Sequence, residues 1–382
     1  MWTSRDRVLC ALNHEEPDRV PIFFGTSGVT TMLASAYDQL KAHLGIQAET
    51  QVFWRALQYA YIDEEVLRRF GSDARPILAG PPPSTLEREL VGGGFVDAWG
   101  ITWQRPPASA YYEIVRPPLA GASVDDIERY PWPDLAHPSR FAGLREKARA
   151  IQEAGYAVVA MSGITPFEFS YMLRGMQKWM LDLAGNPDFA QALLRKLTDL
   201  MKAAAERLLA EAGDYIDVII TGDDLGGQTS TLISPKMYRR MIKPLHAELF
   251  DTIRRRSKAK IFYHSDGNIY ALLDDLIEVG VDLLNPVQVS AGEMGDTARL
   301  KREFGDRLAF CGAVDTQTVM PRGTTGEVRR EVRRRIQDLA PGGGYILASV
   351  HCIQPDVPPE NTCAMFDEAL RVGHYPIALT SA

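Results

Sequence analysis

The chain alternates short apolar segments with longer segments in which apolar residues recur every three or four positions. The short segments are almost continuously apolar, which is typical of strands buried on both faces of a parallel sheet. The longer segments are typical of the amphipathic helices that cover such a sheet. Eight short segments are predicted to be strands: Val20–Phe24, Ala74–Leu78, Ala157–Met161, Asp217–Thr221, Lys260–Tyr263, Val281–Asn285, Leu308–Cys311 and Tyr345–Val350.

Most of these strands are followed by a helical segment, and eight such units favour a closed α/β barrel, the (β/α)8 TIM barrel, over an open sheet. We expect residues 1–382 to form a single domain of this kind. A loop at Gly163 is expected to follow the third strand. Helices are predicted at Ser4–Asn13, with Ser4 as the N-cap of an N-terminal helical extension, and at Thr31–Leu44, Thr50–Phe70, Pro235–Ser257, Ile269–Val279, Thr297–Phe304, Thr325–Leu339 and Pro359–Arg371.

The segment Phe95–Leu119 departs from this rhythm. Its aromatic residues alternate with polar ones on both sides of the turn Arg105-Pro-Pro. Alternation with a period of two is typical of a strand with one exposed face. We therefore predict a β-hairpin over residues 95–119, inserted into the barrel.

Composition and charge exclude several classes of function. The formal net charge of −7 argues against general binding to nucleic acid or to anionic membranes, which requires a basic surface. There is no apolar run long enough to span a bilayer and no secretory pattern at the N-terminus. The four cysteines show no CxxC pair, which is typical of free thiols in a reducing compartment. A soluble cytoplasmic protein is expected.

Polar residues follow five successive predicted strands at the point where each strand ends. In a parallel barrel the carboxyl ends of the strands and the loops behind them form the mouth of the active site. Each of these residues can titrate, coordinate a metal or form hydrogen bonds: Asp223 and Asp224, His264 and Asp266, Asn285 and Gln288, Asp315 and Gln317, and His351 and Cys352.

His264 is the sharpest candidate, because imidazole binds zinc and titrates near neutral pH. It is interpreted as a metal ligand or a general acid or base, and the alternative is a histidine that satisfies backbone groups at the barrel mouth. Asp266 either joins the same metal or turns the loop before Gly267. Since adjacent residues point to opposite sides of a strand, we expect only one of His351 and Cys352 to enter the site.

The remaining candidates are carboxyl and amide groups. Asp223 and Asp224 form a pair in which one pKa can rise, which would make a proton donor, and Asp315 has a similar potential role. Capping of a helix is the alternative for all three. Residues predicted to bind substrate are Glu168, after the third strand, and the amides Asn285, Gln288 and Gln317. For Glu168 the alternative is an acidic residue in the first turn of a helix.

Several blocks of this chain resemble the uroporphyrinogen decarboxylase superfamily. They are RVLCALNHEEPDRVPIFFG near the start, YHSDGNI, LLNPVQ, CGAVDTQ, and PGGGYILASVHCIQPDVPPENTCAMFDEAL near the end. The resemblance implies a TIM barrel and two branches of function. One branch decarboxylates a porphyrinogen without a cofactor, and the other uses zinc to move methyl groups between a corrinoid protein and a thiol or methoxylated substrate.

The decarboxylase branch grips porphyrin carboxylates with an arginine-rich N-terminal motif, but this chain has no arginine between Arg19 and Arg55. In the methyltransferase branch a His-x-Cys pair and a distant cysteine bind zinc. His264 matches that histidine, Asp266 stands where the first cysteine would be, and Cys352 or its neighbour His351 falls near the second. An oxygen ligand in place of a thiolate favours activation of an ether or phenolic oxygen.

The resemblance therefore implies a zinc-dependent enzyme that demethylates a small methoxylated donor. The methyl group would pass to cobalamin carried by a separate corrinoid protein, with Asp223 or Asp224 as proton donor. The alternatives are a metal-free decarboxylase or lyase of a small carboxylated substrate, with His264 and the aspartates as acid and base, and a barrel that only binds a ligand. A homodimer is left open as the assembly.

Overall fold

The computed structural model describes residues 2–161 and 165–378. The expected loop at Gly163 lies outside these residues. Seven parallel strands in this part of the chain form one curled sheet: β3 Ala74–Ile77, β8 Ala157–Met161, β9 Val218–Gly222, β10 Lys260–His264, β11 Leu283–Asn285, β12 Ala309–Val314 and β13 Tyr345–Ser349. Their order in the sheet is β13-β12-β11-β10-β9-β8-β3.

The first predicted strand, Val20–Phe24, joins the two edges of this sheet. On one side Ile22 forms a parallel bridge with Leu347 of β13, and the backbone N–H of Phe23 donates to the carbonyl of Leu347 over 3.0 Å. On the other side the N–H of Asp73 donates to the carbonyl of Ile22 over 2.9 Å. Pro21 has no N–H, so the pairing is interrupted and no regular strand forms. The TIM-barrel prediction is confirmed, and this segment takes the position of the eighth strand.

Helices surround the sheet and follow most of its strands. None of the helices in the described ranges is both long and apolar enough to cross a membrane. Their bounds are α1 Ser4–Leu12, α2 Ala34–Leu44, α3 Glu64–Arg69, α4 Val124–Arg129, α5 Leu144–Glu153, α6 Pro166–Arg174, α7 Met176–Gly185, α8 Pro187–Ala212, α9 Pro235–Met241, α10 Lys243–Arg256, α11 Leu273–Glu278, α12 Thr297–Phe304, α13 Val319–Arg322, α14 Thr325–Leu339 and α15 Pro359–Val372.

The N-terminal helix α1 packs against the inside of the barrel. Its side chains Val8 and Leu12 belong to the same buried cluster as the inward-facing residues of the strands, among them Val159 and Phe262. The helix is capped by Thr3, whose side chain accepts from the N–H of Asp6, so the prediction of Ser4 as N-cap is wrong by one residue. With one end of the barrel covered by α1, the opposite end is left for the functional site.

The helix predicted over Thr50–Phe70 is wrong for most of its length. A two-stranded hairpin, β1 Val52–Trp54 and β2 Tyr59–Ala60, occupies its first half, and only Glu64–Arg69 is helical. Gln58 adopts a left-handed backbone with φ of 56° at the turn. The N–H of Ala60 donates to the carbonyl of Met32 over 3.0 Å, so pairing with a preceding segment outweighs the local helical pattern.

Two further elements differ from expectation. The inserted hairpin expected at residues 95–119 is part of a four-stranded antiparallel sheet: β4 Arg88–Glu89, β5 Phe95–Val96, β6 Thr102–Gln104 and β7 Glu113–Arg116. The helix expected over Pro235–Ser257 is divided at Ile242 into α9 and α10. Pro244, in the first turn of α10, lacks the N–H that would continue α9.

Candidate metal centre

Three side chains from two opposite strands meet at the barrel mouth. His264 ends β10, Asp266 follows it in the loop, and His351 comes shortly after β13. The Oδ2 atom of Asp266 lies 4.0 Å from Nε2 of His264 and 3.9 Å from Nε2 of His351. One potential ligand atom from each of the three residues lies within 4.8 Å of the other two. The curled sheet therefore unites residues that are far apart in sequence.

The loop that carries Asp266 is held by close backbone packing. Gly267 has φ of 86°, and a Cβ atom at this position would lie 2.3 Å from the carbonyl carbon of Gly226. Only glycine fits both the conformation and the space. The N–H of Gly267 donates to Oε1 of Gln288 over 2.7 Å, and the N–H of Asp266 donates to Oδ1 of Asp224 over 2.9 Å. Gln288, predicted to bind substrate, thus braces this loop.

Asn285 determines which nitrogen of His264 faces the site. Its Nδ2 donates to the carbonyl of Cys311 over 3.2 Å, so its Oδ1 is the atom that lies 2.7 Å from Nδ1 of His264. Because an amide oxygen only accepts, Nδ1 of His264 carries the proton. The lone pair of His264 is therefore on Nε2, which points toward Asp266. A buried partner that orients a histidine in this way is characteristic of metal ligands.

Asp266 contributes an unpaired oxygen to the site. Its Oδ1 is buried and has no hydrogen-bond partner within the described residues. A carboxylate oxygen without a partner is costly to bury, because it has lost its hydration. A cation bound between Asp266, His264 and His351 would remove this cost, and two imidazoles with one carboxylate are a known ligand set of catalytic zinc. These residues therefore fit a zinc ion.

His351 has the opposite tautomer. The N–H of Cys352 donates to Nδ1 of His351 over 2.8 Å, so a neutral ring carries its proton on Nε2, the atom that faces Asp266. Burial lowers the pKa of His351, but the negative charges of Cys352 and Asp266 outweigh burial and raise it to about 10. A metal at Nε2 must therefore displace a proton. The sulfur of Cys352 accepts from Nε2 of Gln354 over 3.1 Å. Cys352 does not belong to the group of candidate metal ligands formed by His264, Asp266 and His351.

Two further carboxyl groups surround these ligands. Oδ1 of Asp224 lies 3.9 Å from Nε2 of His264, and burial together with the charge of Asp266 raises the pKa of Asp224. Burial, followed by the charges of Asp224 and Asp223, raises the pKa of Glu168 well above its ordinary value. Within the described ranges no lysine or arginine pairs with Glu168, Asp224 or Asp266. The mouth is rich in carboxyl groups, and the pKa values of two of them are raised.

The neighbouring aspartates Asp223 and Asp224 have different surroundings. Asp223 is completely buried; its Oδ2 lies 2.7 Å from Nε2 of His246, and its Oδ1 accepts from the N–H of Glu168 over 2.8 Å. His246, on α10, also contacts the hydroxyl of Tyr238 at 3.2 Å. Sequence reasoning missed His246, although it lies on the same apolar stripe of α10 as Leu249 and Ile253. Asp223 therefore links α10 to the start of α6 beneath the site, whereas Asp224 faces the candidate ligands.

The residues predicted after β12 lie apart from this group. Oδ1 of Asp315 accepts from the N–H of Gln317 over 2.8 Å, and its Oδ2 accepts from the hydroxyl of Thr318. Asp315 thus turns the chain into α13, and the side chain of Gln317 is exposed. For neither residue does the described chain show a hydrogen bond or an ion pair to His264, Asp266 or His351.

Comparison with known proteins places the chain in a family. Residues 106–372 match the family model described as uroporphyrinogen decarboxylase (URO-D). A protein of Alkalilimnicola ehrlichii named uroporphyrinogen decarboxylase is 24% identical over 95% of this chain and 93% of its own length. Another of that name, from Methylococcus capsulatus, is 26% identical over 66% of this chain and 69% of its own length.

A solved structure shows the same fold. The methyltransferase from Methanosarcina mazei superposes with a TM-score of 0.66 at 19% identity, over 97% of this chain and 99% of its own. The curated relatives bear the name of one branch and the solved structure that of the other, so similarity alone does not choose between decarboxylase and methyltransferase. The match over residues 106–372 shows that the chain belongs to the uroporphyrinogen decarboxylase family.

Proposed function

We propose that this protein is a zinc-dependent methyltransferase that demethylates a small methoxylated substrate and transfers the methyl group to a separate corrinoid protein. The observation that carries this proposal is the grouping of two histidines with Asp266, whose Oδ2 faces both and whose Oδ1 is buried and unpaired. His264, Asp266 and His351 would hold the metal. A zinc ion bound there would polarise the ether oxygen of the substrate and make it a better leaving group.

The protein's own groups prepare the site for this reaction. Asn285 keeps the lone pair of His264 on Nε2, and the Asp223–His246 pair anchors the first turn of α6 through the N–H of Glu168. The raised pKa values of Asp224 and Glu168 favour the protonated form of each carboxyl group. Either carboxyl group can donate a proton to the oxygen that loses its methyl group.

The charge of the mouth restricts the substrate. Glu168, Asp224 and Asp266 approach the site, while no lysine or arginine of the described chain pairs with any of them. A substrate with several carboxylates would find no arginine or lysine clamp among these groups. The arrangement therefore disfavours a porphyrinogen and suits a smaller substrate with fewer carboxylates.

A metal-free decarboxylase or lyase is the second candidate, and the names of the curated relatives favour it. In that reaction the protonated carboxyl groups of Asp224 and Glu168 would supply the proton that replaces carbon dioxide. Exhaustive chelation distinguishes the two candidates. Activity that survives chelation would support the decarboxylase, and activity restored only by zinc would support the methyltransferase.

Metal content tests the zinc proposal directly. The purified protein is loaded with zinc, dialysed and analysed by mass spectrometry for metal, beside His264→Ala and the control His43→Ala. His43 is a histidine of α2 that lies 3.6 Å from Glu360, away from the barrel mouth. We expect one equivalent of zinc in the wild type and in His43→Ala, and none in His264→Ala. A wild type without zinc, or full retention in His264→Ala, would refute the metal site.

A further inference from the structure

Tyr59 lies beside the candidate metal ligands, although it belongs to no strand of the barrel. It begins β2, and a bridge from Tyr59 to Leu33 holds that strand against the segment that precedes α2. The residue is 5% exposed, and its ring centroid lies 6.5 Å from that of His351. The sequence analysis missed Tyr59 because it predicted a helix over this region. The β1–β2 hairpin that forms instead brings Tyr59 to the barrel mouth.

Neighbouring residues define the position of the Tyr59 ring. The rings of Trp54 and Phe53 lie 5.8 Å and 6.0 Å from it, centroid to centroid. A Cβ atom at residue 28 would lie 2.6 Å from the ring, so Gly28 leaves the space that the ring fills. The ring of Tyr59 is therefore fixed by its neighbours, and the aromatic cluster to which it belongs lies beside His351.

The hydroxyl of Tyr59 forms no hydrogen bond within the described residues, and it is not one of the sealed, unpaired polar atoms of the interior. The hydroxyl of Tyr37, for comparison, donates to Asp63 over 2.7 Å. The hydroxyl of Tyr263 is also unpaired, but it is sealed in the protein interior, which that of Tyr59 is not. An unused donor on a ring beside His351 is suited to a bound molecule.

We propose that the Tyr59 hydroxyl donates a hydrogen bond to the substrate oxygen that loses its methyl group, while the rings of Tyr59 and Trp54 pack against the apolar body of the substrate. This inference rests on the proposed function, because it requires a substrate oxygen beside His264, Asp266 and His351. It assigns to the β1–β2 hairpin a substrate-contacting role that lies outside the barrel strands.

The surroundings keep this hydroxyl in its donor form. Burial raises the pKa of Tyr59 well above its usual value. Tyr59 therefore remains protonated through the neutral range. A fixed donor is most useful where negative charge develops during the reaction, and this is the oxygen that the methyl group leaves.

The test compares Tyr59→Phe with Tyr61→Phe in zinc-loaded protein. Tyr59→Phe removes one hydroxyl and keeps the ring, and Tyr61→Phe makes the same change at a residue of the same segment that is 40% exposed. The probe is 2-methoxyphenol. Calorimetry measures its binding, and the absorbance change of free cob(I)alamin measures its demethylation.

We expect Tyr59→Phe to bind the probe about 10-fold more weakly and to lower kcat/KM by about 100-fold, the loss of one hydrogen bond that strengthens during the reaction. Zinc content and melting temperature should equal those of the wild type, and Tyr61→Phe should match the wild type throughout.

The outcomes separate this inference from the proposed function. If Tyr59→Phe binds and demethylates the probe as the wild type does, the inference is overturned and the proposed function stands. If Tyr59→Phe loses zinc or melts earlier, or if Tyr61→Phe loses as much activity, the hydroxyl acts through the fold and the inference is again overturned. If the zinc-loaded wild type neither binds nor demethylates the probe, both fail together.

Discussion

Removal of the Asn285 amide tests whether the second shell of the candidate metal centre determines its affinity. Asn285 is completely buried and forms two hydrogen bonds, one with Nδ1 of His264 and one with the carbonyl of Cys311. In Asn285→Ala both partners lose their hydrogen bond in the interior. Each unsatisfied group costs about 1–3 kcal/mol, so the free energy of unfolding of the metal-free protein should fall by about 2–6 kcal/mol.

The effect on metal binding is separate. Without the Asn285 oxygen, the proton of His264 is no longer confined to Nδ1, and the tautomer with a free Nε2 loses its preference. Loss of such a partner typically lowers metal affinity by about 10- to 100-fold, which equals about 1.4–2.7 kcal/mol. Asn285→Asp keeps an acceptor for His264 but turns a second oxygen toward the Cys311 carbonyl, so it should lose stability and retain affinity.

Asn361 supplies a matched control. It is a buried asparagine of α15 whose Nδ2 donates to the carbonyls of Met320 and Gly323, each over 2.8 Å. Competition with a chromophoric chelator gives zinc affinity, and urea unfolding with chelator present gives stability. Asn361→Ala should lose stability without losing affinity. Unchanged affinity in Asn285→Ala, or an equal loss in Asn361→Ala, would refute this account of the site.

Three further predictions follow from the same structure. In chelator, Glu168→Gln should gain stability relative to the wild type by about 1.4 kcal/mol per pH unit, from pH 4.3 up to the raised pKa of Glu168 in the folded protein. The reason is that folded Glu168 keeps a proton that the unfolded chain releases, so wild-type stability falls as pH rises; calorimetric curves that stay parallel would contradict this. Asp73→Ala should lower the free energy of unfolding in urea by about 3–5 kcal/mol, because Arg7 and Arg19 lose their buried partner. A loss under about 1 kcal/mol would contradict this prediction. His351→Ala should lose zinc in metal analysis and Cys352→Ala should keep it, and the reverse result would move the third ligand to the thiol.

The barrel could be predicted from the sequence because its strands are local features. Residues such as Val218–Gly222 form a short apolar run that ends in polar residues, and both properties are visible in the order of the amino acids. The same logic placed His264, Asp266 and His351 at strand ends. It could not decide between His351 and Cys352, since φ of 60° at His351 turns the chain immediately after the strand.

The features that the sequence concealed depend on distant contacts. The β1–β2 hairpin forms because Tyr59 and Ala60 pair with residues of a different segment, so its local helical pattern is misleading. His246 resembles a core residue of α10 until Asp223 is seen to face it. Which of Asp223 and Asp224 faces the mouth is likewise decided by a partner on another helix.

The segment that closes the barrel has a consequence for synthesis of the chain. Ile22 is synthesised long before Leu347, the residue with which it pairs. Contacts between such distant residues form slowly and expose unpaired backbone in the meantime. The seam at Val20–Phe24 should therefore be completed last, and amide hydrogen exchange during refolding should show this segment protected after the strands of the sheet.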